Sequence, residues 1–249
     1  MIDRSAYLER IGHTGTAQPD LATLRSLHKR HMMSIPFDNT DVLAGGLSLN
    51  DLNRDVELSF RKIIEDARGG ICFELNVPFQ LLLDDIGFDT MRLVVEVGNE
   101  DGYFNDHFSH VVIAVVMSGN YWLADVGFGR PSFIEPLALR PGIHEQYGCQ
   151  YEIVQRNRYH EVYRRPHNGP WLPLYRFVLE DVSRSDSIVF GSDDPETLMC
   201  QVPVCARATE RGQLALLGRQ LVTVVNGLES STVLTKLDYA EAVSAILQG

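Results

Sequence analysis

The spacing of apolar positions changes along the chain. From Asp20 to His31, Leu21, Leu24 and Leu27 recur every three residues, which predicts a helix with Asp20, behind Pro19, as its N-cap. Pro36 breaks the pattern, because it lacks an amide donor and pushes Ile35 out of the helical region. A second helix is predicted over Asp55 to Ala67, and Gly69-Gly70 interrupts it. A third starts at Ile71 or Cys72, with Cys72, Leu75, Phe79, Leu82, Leu83 and Ile86 on one face and Gly87 as its stop. Pro78 lies inside that run and is expected to kink it or to leave one carbonyl unpaired.

Beyond Thr90 the period becomes two, or short apolar runs appear. Arg92 to Val97, Ser109 to Met117, Tyr121 to Val126, Tyr151 to Gln155, Tyr159 to Arg165 and Leu174 to Leu179 read as strands. Turn residues such as Ser118-Gly119-Asn120 separate several of them, which argues for an antiparallel sheet closed into a barrel or sandwich. The tail mixes short strands (Val202 to Ala208, Gln220 to Val225) with a helix over Asp238 to Leu247. The expected organisation is α+β in three parts: a helical part over 1–89, a β part over 90–180 and a small α/β part over 181–249.

Composition narrows the function classes. The 249 residues carry a net charge of −11 without a basic block, which disfavours nucleic acid and anionic membranes as partners. The opening MIDRSAYLER has no apolar run of the signal-peptide kind, and Val111 to Met117 is too short to span a bilayer. Four cysteines (Cys72, Cys149, Cys200 and Cys205) form neither a disulfide framework nor a zinc pattern. A cytoplasmic location is the expectation.

The stretch Arg68-Gly69-Gly70-Ile71-Cys72-Phe73-Glu74-Leu75-Asn76 carries the first chemical signal. Two glycines permit a tight, left-handed turn just before a helix. A cysteine there faces the unpaired amides and positive dipole end of the helix, which favour thiolate over thiol. Taken alone, such a cysteine is more often a buried small hydrophobe. The following hairpin supplies a base. With Met117 paired to Asn120 across the Ser118-Gly119 turn, Asp125 falls opposite Val112 and His110 opposite Gly127. His110 and Asp125 then share a face as diagonal neighbours, roughly 7–8 Å apart at Cα, and a one-residue slip would separate them. Cys72, His110 and Asp125 together fit nucleophile, base and orienting carboxylate.

Other features carry less. His107 and His110 lack a third metal ligand at sensible spacing, so no metal is expected. Cys149, Cys200 and Cys205 read as structural or incidental. Gly127-Phe128-Gly129 is too short for a nucleotide fingerprint.

These stretches together resemble the arylamine N-acetyltransferase family. Tyr7-Leu8-Glu9-Arg10-Ile11-Gly12 is similar to its opening, and Ile35-Pro36-Phe37-Asp38-Asn39 to its Pro-Phe-Glu-Asn motif. The Arg-Gly-Gly-x-Cys stretch is similar to its nucleophile motif, while Ser109-His110 and Leu123 to Gly129 match the segments bearing its histidine and aspartate. The resemblance implies a helical bundle, an antiparallel β-barrel and an α/β lid around a cysteine-protease-like core. It implies ping-pong transfer from acetyl-CoA through an acetyl-Cys72 thioester to an arylamine, arylhydroxylamine or hydrazine, with His110 as base and Asp125 orienting it. It further implies Phe37 in the acceptor pocket, and Val97, Gly127, Phe128 and Gly129 near the bound thioester or CoA arm. Arg130 is a candidate for the CoA phosphates.

Three features depart from the family pattern. Asp38 replaces its usual glutamate and is expected to be able to pair with Arg68. Pro78 is unexpected in the nucleophile helix, and Asp193 to Met199 stands where a His-Pro-x-Ser-x-Phe pattern is common. An amide synthase of ansamycin assembly, using the same triad and another acyl thioester, is the nearest alternative. Cys–His–Asp geometry alone also leaves open a thiol hydrolase or transglutaminase-like enzyme, or a scaffold with an inert triad.

Overall fold

A computed structural model describes residues 2–45, 56–99, 101–105, 109–167, 169–182 and 201–248. Its helical elements are α1 (Arg4–Arg10), α2 (Leu21–Ser34), α3 (Thr40–Leu43), α4 (Val56–Phe60), α5 (Cys72–Ile86) and α6 (Lys236–Gln248). The predicted caps are present. The Asp20 carboxylate accepts the Thr23 N–H at 2.8 Å, and Gly87 ends α5 in the left-handed region at φ 105°.

The second predicted helix is only partly regular. Asp55 lies outside the described residues, α4 covers Val56–Phe60, and Arg61–Glu65 winds as a π-helix in which Asp66 N–H reaches back to Arg61 C=O at 2.9 Å. Helix α5 runs on through Pro78. Because proline has no N–H, the Glu74 carbonyl receives no intrahelical bond from position 78.

Eight antiparallel strands form the larger sheet: β2 (Asp89–Val97), β3 (His110–Met117), β4 (Asn120–Ala124), β5 (Leu137–Ala138), β6 (Gly142–Gln146), β7 (Cys149–Arg156), β8 (Tyr159–Arg165) and β9 (Leu172–Val178). Their spatial order is β5-β4-β3-β2-β9-β8-β7-β6. The two outer strands are consecutive in the chain, so the sheet curls into a nearly closed barrel. Strand β3 is buried on both faces, as its unbroken apolar run predicts. Val112 and Ala114 point into the barrel core beside Leu93, Tyr175 and Phe177, while Ile113 and Val115 pack against Leu75, Phe79 and Leu82 of α5.

The second sheet contains β10 (Val204–Thr209), β11 (Gly212–Leu217), β12 (Gln220–Val225) and β13 (Leu228–Val233), with α6 packed on it. Strands β11 and β13 escape the period-two reading: the burial of β11 does not alternate, and all six residues of β13 are exposed. The far edge of this sheet is a two-residue strand from the helical part, β1 (Phe37–Asp38), in which Phe37 pairs with Ala206.

Candidate active site

The glycines before Cys72 act through closeness rather than handedness. Neither Gly69 nor Gly70 has a positive φ, contrary to the left-handed turn expected. A Cβ on Gly69 would stand 2.6 Å from the Pro36 carbonyl oxygen, and one on Gly70 2.9 Å from Glu74 Cβ. The missing side chains let the loop lie against β1, where Asp38 N–H donates to Gly70 C=O at 2.9 Å. The loop is fixed from below by Glu74, which is 1% exposed. Its carboxylate accepts the Ile71 N–H at 2.9 Å and both its oxygens lie 2.9 Å from Lys62 Nζ. Arg68 pairs with Asp41 rather than Asp38, whose shorter carboxylate caps Thr40 N–H instead.

Cys72 is therefore delivered as the first residue of α5, buried among Phe73, Val77, Val94 and Val111. The hairpin delivers the other two groups. Ser118 and Gly119 both have positive φ, the turn type that matches strand twist. The register is Met117 to Asn120 and Ile113 to Ala124, as expected. The ladder stops at Ala124, two residues before the predicted end, which frees Asp125 to turn toward His110. His110 Nε2 lies 2.8 Å from Asp125 Oδ2. That leaves Nδ1 free of the carboxylate, with Cys72 near enough to the ring to add to the pull on its charge.

Electrostatics follow from this arrangement. Burial works against charge on His110, but the Asp125 carboxylate and then Cys72 outweigh it and raise the imidazole to about 10. Burial alone would raise Asp125; the His110 charge, with donors from Asn76 and Gly127, lowers it. Asp125 Oδ1 accepts from Asn76 Nδ2 and from Gly127 N–H, each at 3.0 Å.

Gly127 lies directly on Cys72, since a Cβ there would be 2.9 Å from Cys72 Cα. Gly129, at φ 75°, leaves the Phe37 ring only 2.9 Å from where its Cβ would be. Between them the Phe128 ring stands edge-on to His110 at 5.3 Å. Phe37, Phe128, Gly129, Arg130 and Arg207 are among the residues lining a small pocket of about 20 Å³; Cys72, His110 and Asp125 are not among them. Val97 is buried on the barrel side and pairs with Tyr175, whose ring lies 6.0 Å from His110. His107, Cys200 and Asp193 to Met199 fall outside the described residues. Among the described residues no group of three or more His, Cys, Asp and Glu could hold a metal, and no helix is long and apolar enough to cross a membrane.

A family model described as N-acetyltransferase matches residues 20–248. An arylamine N-acetyltransferase of Mycolicibacterium smegmatis is 32% identical over 91% of this chain and 84% of its own length. The chain belongs to the arylamine N-acetyltransferase family. A proansamycin X synthase of Amycolatopsis mediterranei is also 32% identical, over 100% of the chain and 98% of that protein. The solved Mycobacterium marinum arylamine N-acetyltransferase in complex with CoA superposes with a TM-score of 0.84, at 27% identity, covering 98% of this chain and 90% of that one.

Within this N-acetyltransferase fold, several residues at the site escaped the sequence reading. Asn76 is one turn beyond Cys72 and joins three segments: Nδ2 donates to Val111 C=O and Asp125 Oδ1, while Oδ1 accepts the Val126 N–H. Tyr175, fully buried, is pushed well above its ordinary pKa first by burial and then by the Asp125 charge. His28 bonds the Asp125 backbone. The available signal was a polar residue on an otherwise apolar helix face, as at Asn76 on α5 and His28 on α2.

Proposed function

We propose that the protein transfers an acetyl group from acetyl-CoA to the nitrogen of an arylamine, arylhydroxylamine or hydrazine by a ping-pong route. The Cys72 sulfur, its proton held by His110, attacks the thioester carbonyl. The C–S bond to CoA breaks, and the departing thiolate takes the proton from His110 Nδ1. The acceptor amine then attacks acetyl-Cys72, gives its proton to His110 and restores the cysteine. Asp125 holds the ring through Nε2 and stabilises the imidazolium. The observation that carries this reading is the 2.8 Å His110–Asp125 bond, which leaves the second ring nitrogen to a cysteine at a helix N-terminus. Phe37 and Phe128 supply flat apolar walls for an aromatic acceptor, and Gly127 and Gly129 admit the thioester arm close to the sulfur.

Intact-protein mass spectrometry after acetyl-CoA addition tests the first half-reaction. A gain of one acetyl group on the wild type, absent in Cys72→Ala and discharged by an aniline or hydrazine with release of free CoA, is expected. No acetyl-enzyme would overturn the reading.

A second reading has a specific support: the similarity to the proansamycin X synthase runs over the whole of both chains. On that reading the same triad takes a larger acyl thioester and makes an amide. Acylation by bulky acyl thioesters without acylation by acetyl-CoA would favour it.

A further inference from the structure

His28 has no place in the proton transfers just described, yet it is fully buried and bonded to the site from a helix 97 residues away. Its Nδ1 lies 2.7 Å from the Ile134 carbonyl oxygen, which can only accept, so Nδ1 carries the hydrogen. Nε2 is then bare and accepts the Asp125 backbone N–H at 3.0 Å. Asp125 and Ile134 bound the loop that contains Gly127, Phe128 and Gly129. One imidazole therefore clamps both ends of the segment that carries the orienting carboxylate and covers Cys72.

The ring is itself immobilised. It stacks on Phe133 at 5.8 Å and meets the edge of Phe79 of α5 at 6.1 Å. The other end of the loop is pinned independently, because Ile134 and Glu135 N–H both donate to Gln146 Oε1. We propose that His28 is a positioning residue for acyl transfer, whose neutral, Nδ1-protonated ring holds the Asp125 loop in register with His110 and Cys72. A protonated ring would set an N–H against the Asp125 N–H and undo the clamp. Burial first of all lowers the His28 pKa to about 4, against the opposing pull of the Ile134 carbonyl, Asp125 and Glu135. His31, the other titratable ring on this face of α2, is likewise held well below its ordinary value by burial. The proton that matters is thus absent through the neutral range.

This inference rests on the triad reading, and the experiment separates the two. His28→Leu fills the volume without a donor or acceptor, whereas His28→Gln keeps one of each. Two rates are measured for each folded variant: iodoacetamide alkylation of Cys72 near pH 6, and single-turnover acetylation. For His28→Leu, which removes both hydrogen bonds, the two rates should fall at least about tenfold, with the acceptor KM little changed. His28→Gln should recover most of the loss. His28→Leu with lower thermal stability but wild-type alkylation and acetylation rates would reduce His28 to a packing residue and overturn the proposal. If the wild type itself shows neither fast alkylation nor acetylation, the triad reading fails instead. The tautomer is read on the wild type by long-range proton–nitrogen NMR, whatever the fate of the variants. A neutral Nδ1–H ring at His28 near pH 7 is expected; an Nε2–H ring or an imidazolium overturns the inference.

Discussion

Asn76 donates to Asp125 Oδ1 at 3.0 Å from a position one helical turn beyond Cys72. The same amide binds Val111 of the histidine strand and Val126 of the aspartate loop, so α5, β3 and that loop share one side chain. Asn76→Ala would leave the Val111 carbonyl and the Val126 N–H unpaired in a dry site, at about 1–3 kcal/mol for each unsatisfied group. Activity should fall on the order of 10- to 100-fold, mainly in kcat, with Cys72 still present and titratable by thiol reagents. Asn76→Asp should be worse, because two carboxylates would face each other.

Gly127→Ala should abolish or nearly abolish turnover. The new methyl would meet the Cys72 backbone, which cannot swing aside as a side chain could. Gly129→Ala should act differently, since it meets the Phe37 ring and strains a φ of 75°; acceptor KM is the parameter expected to change. Gly142→Ala is the control. It is strained at φ 128° but has open space around it, so it should cost about 1–3 kcal/mol of stability and leave kcat/KM intact. Steady-state kinetics with urea melts of all three separate crowding at the sulfur from backbone strain.

Lys62→Met should destabilise strongly while touching no reacting atom. Glu74 is buried with Lys62 as its countercharge, and removing one partner of such a pair costs about 3–5 kcal/mol. Adding Glu74→Gln to Lys62→Met should return part of that loss, a coupling that a double-mutant cycle by urea denaturation measures directly. Equal and additive losses would show that the pair is not energetically joined.

The stability of the fold should fall on both sides of neutrality, through different histidines. His28, held to about 4 by burial, and His31, also lowered, stay neutral in the folded state while the unfolded chain binds protons below about pH 6.5. Their contribution is present above about 6.5 and lost as the pH drops, through about 4 for His28, with a slope of up to about 1.4 kcal/mol per pH unit for each. His110 has the opposite sign. Its raised value means that stabilisation is complete below about 6.5 and disappears as the pH rises through about 10. In urea melts across this range, His28→Gln should shrink the acid limb to the part His31 carries, and His110→Gln should remove the alkaline limb.

The sequence was most informative where local chemistry decides structure. Asp20 and Gly87 cap their helices because their side-chain and backbone requirements act within a few residues. The hairpin register that unites His110 with Asp125 follows from one two-residue turn. The Gly69-Gly70 pair was recognised as special for the wrong reason: what it avoids is Pro36 and Glu74, neighbours visible only after folding. Arg68 chose Asp41 over Asp38 because the latter's carboxylate is turned to its own chain at Thr40. Asn76, Tyr175 and His28 act across 35 to 97 residues of sequence, and no periodicity encodes such partners. Strand β13, exposed throughout, owes its existence to the neighbour it pairs with, since no buried face marks it.

The two residues of β1 also constrain how the protein is made. Phe37 is synthesised early but finds its ladder partner at Ala206, so the aromatic wall of the pocket waits for the ribosome to deliver the second sheet. Until then a growing polypeptide would own its sulfur, imidazole and carboxylate without a finished chamber to select what reaches them.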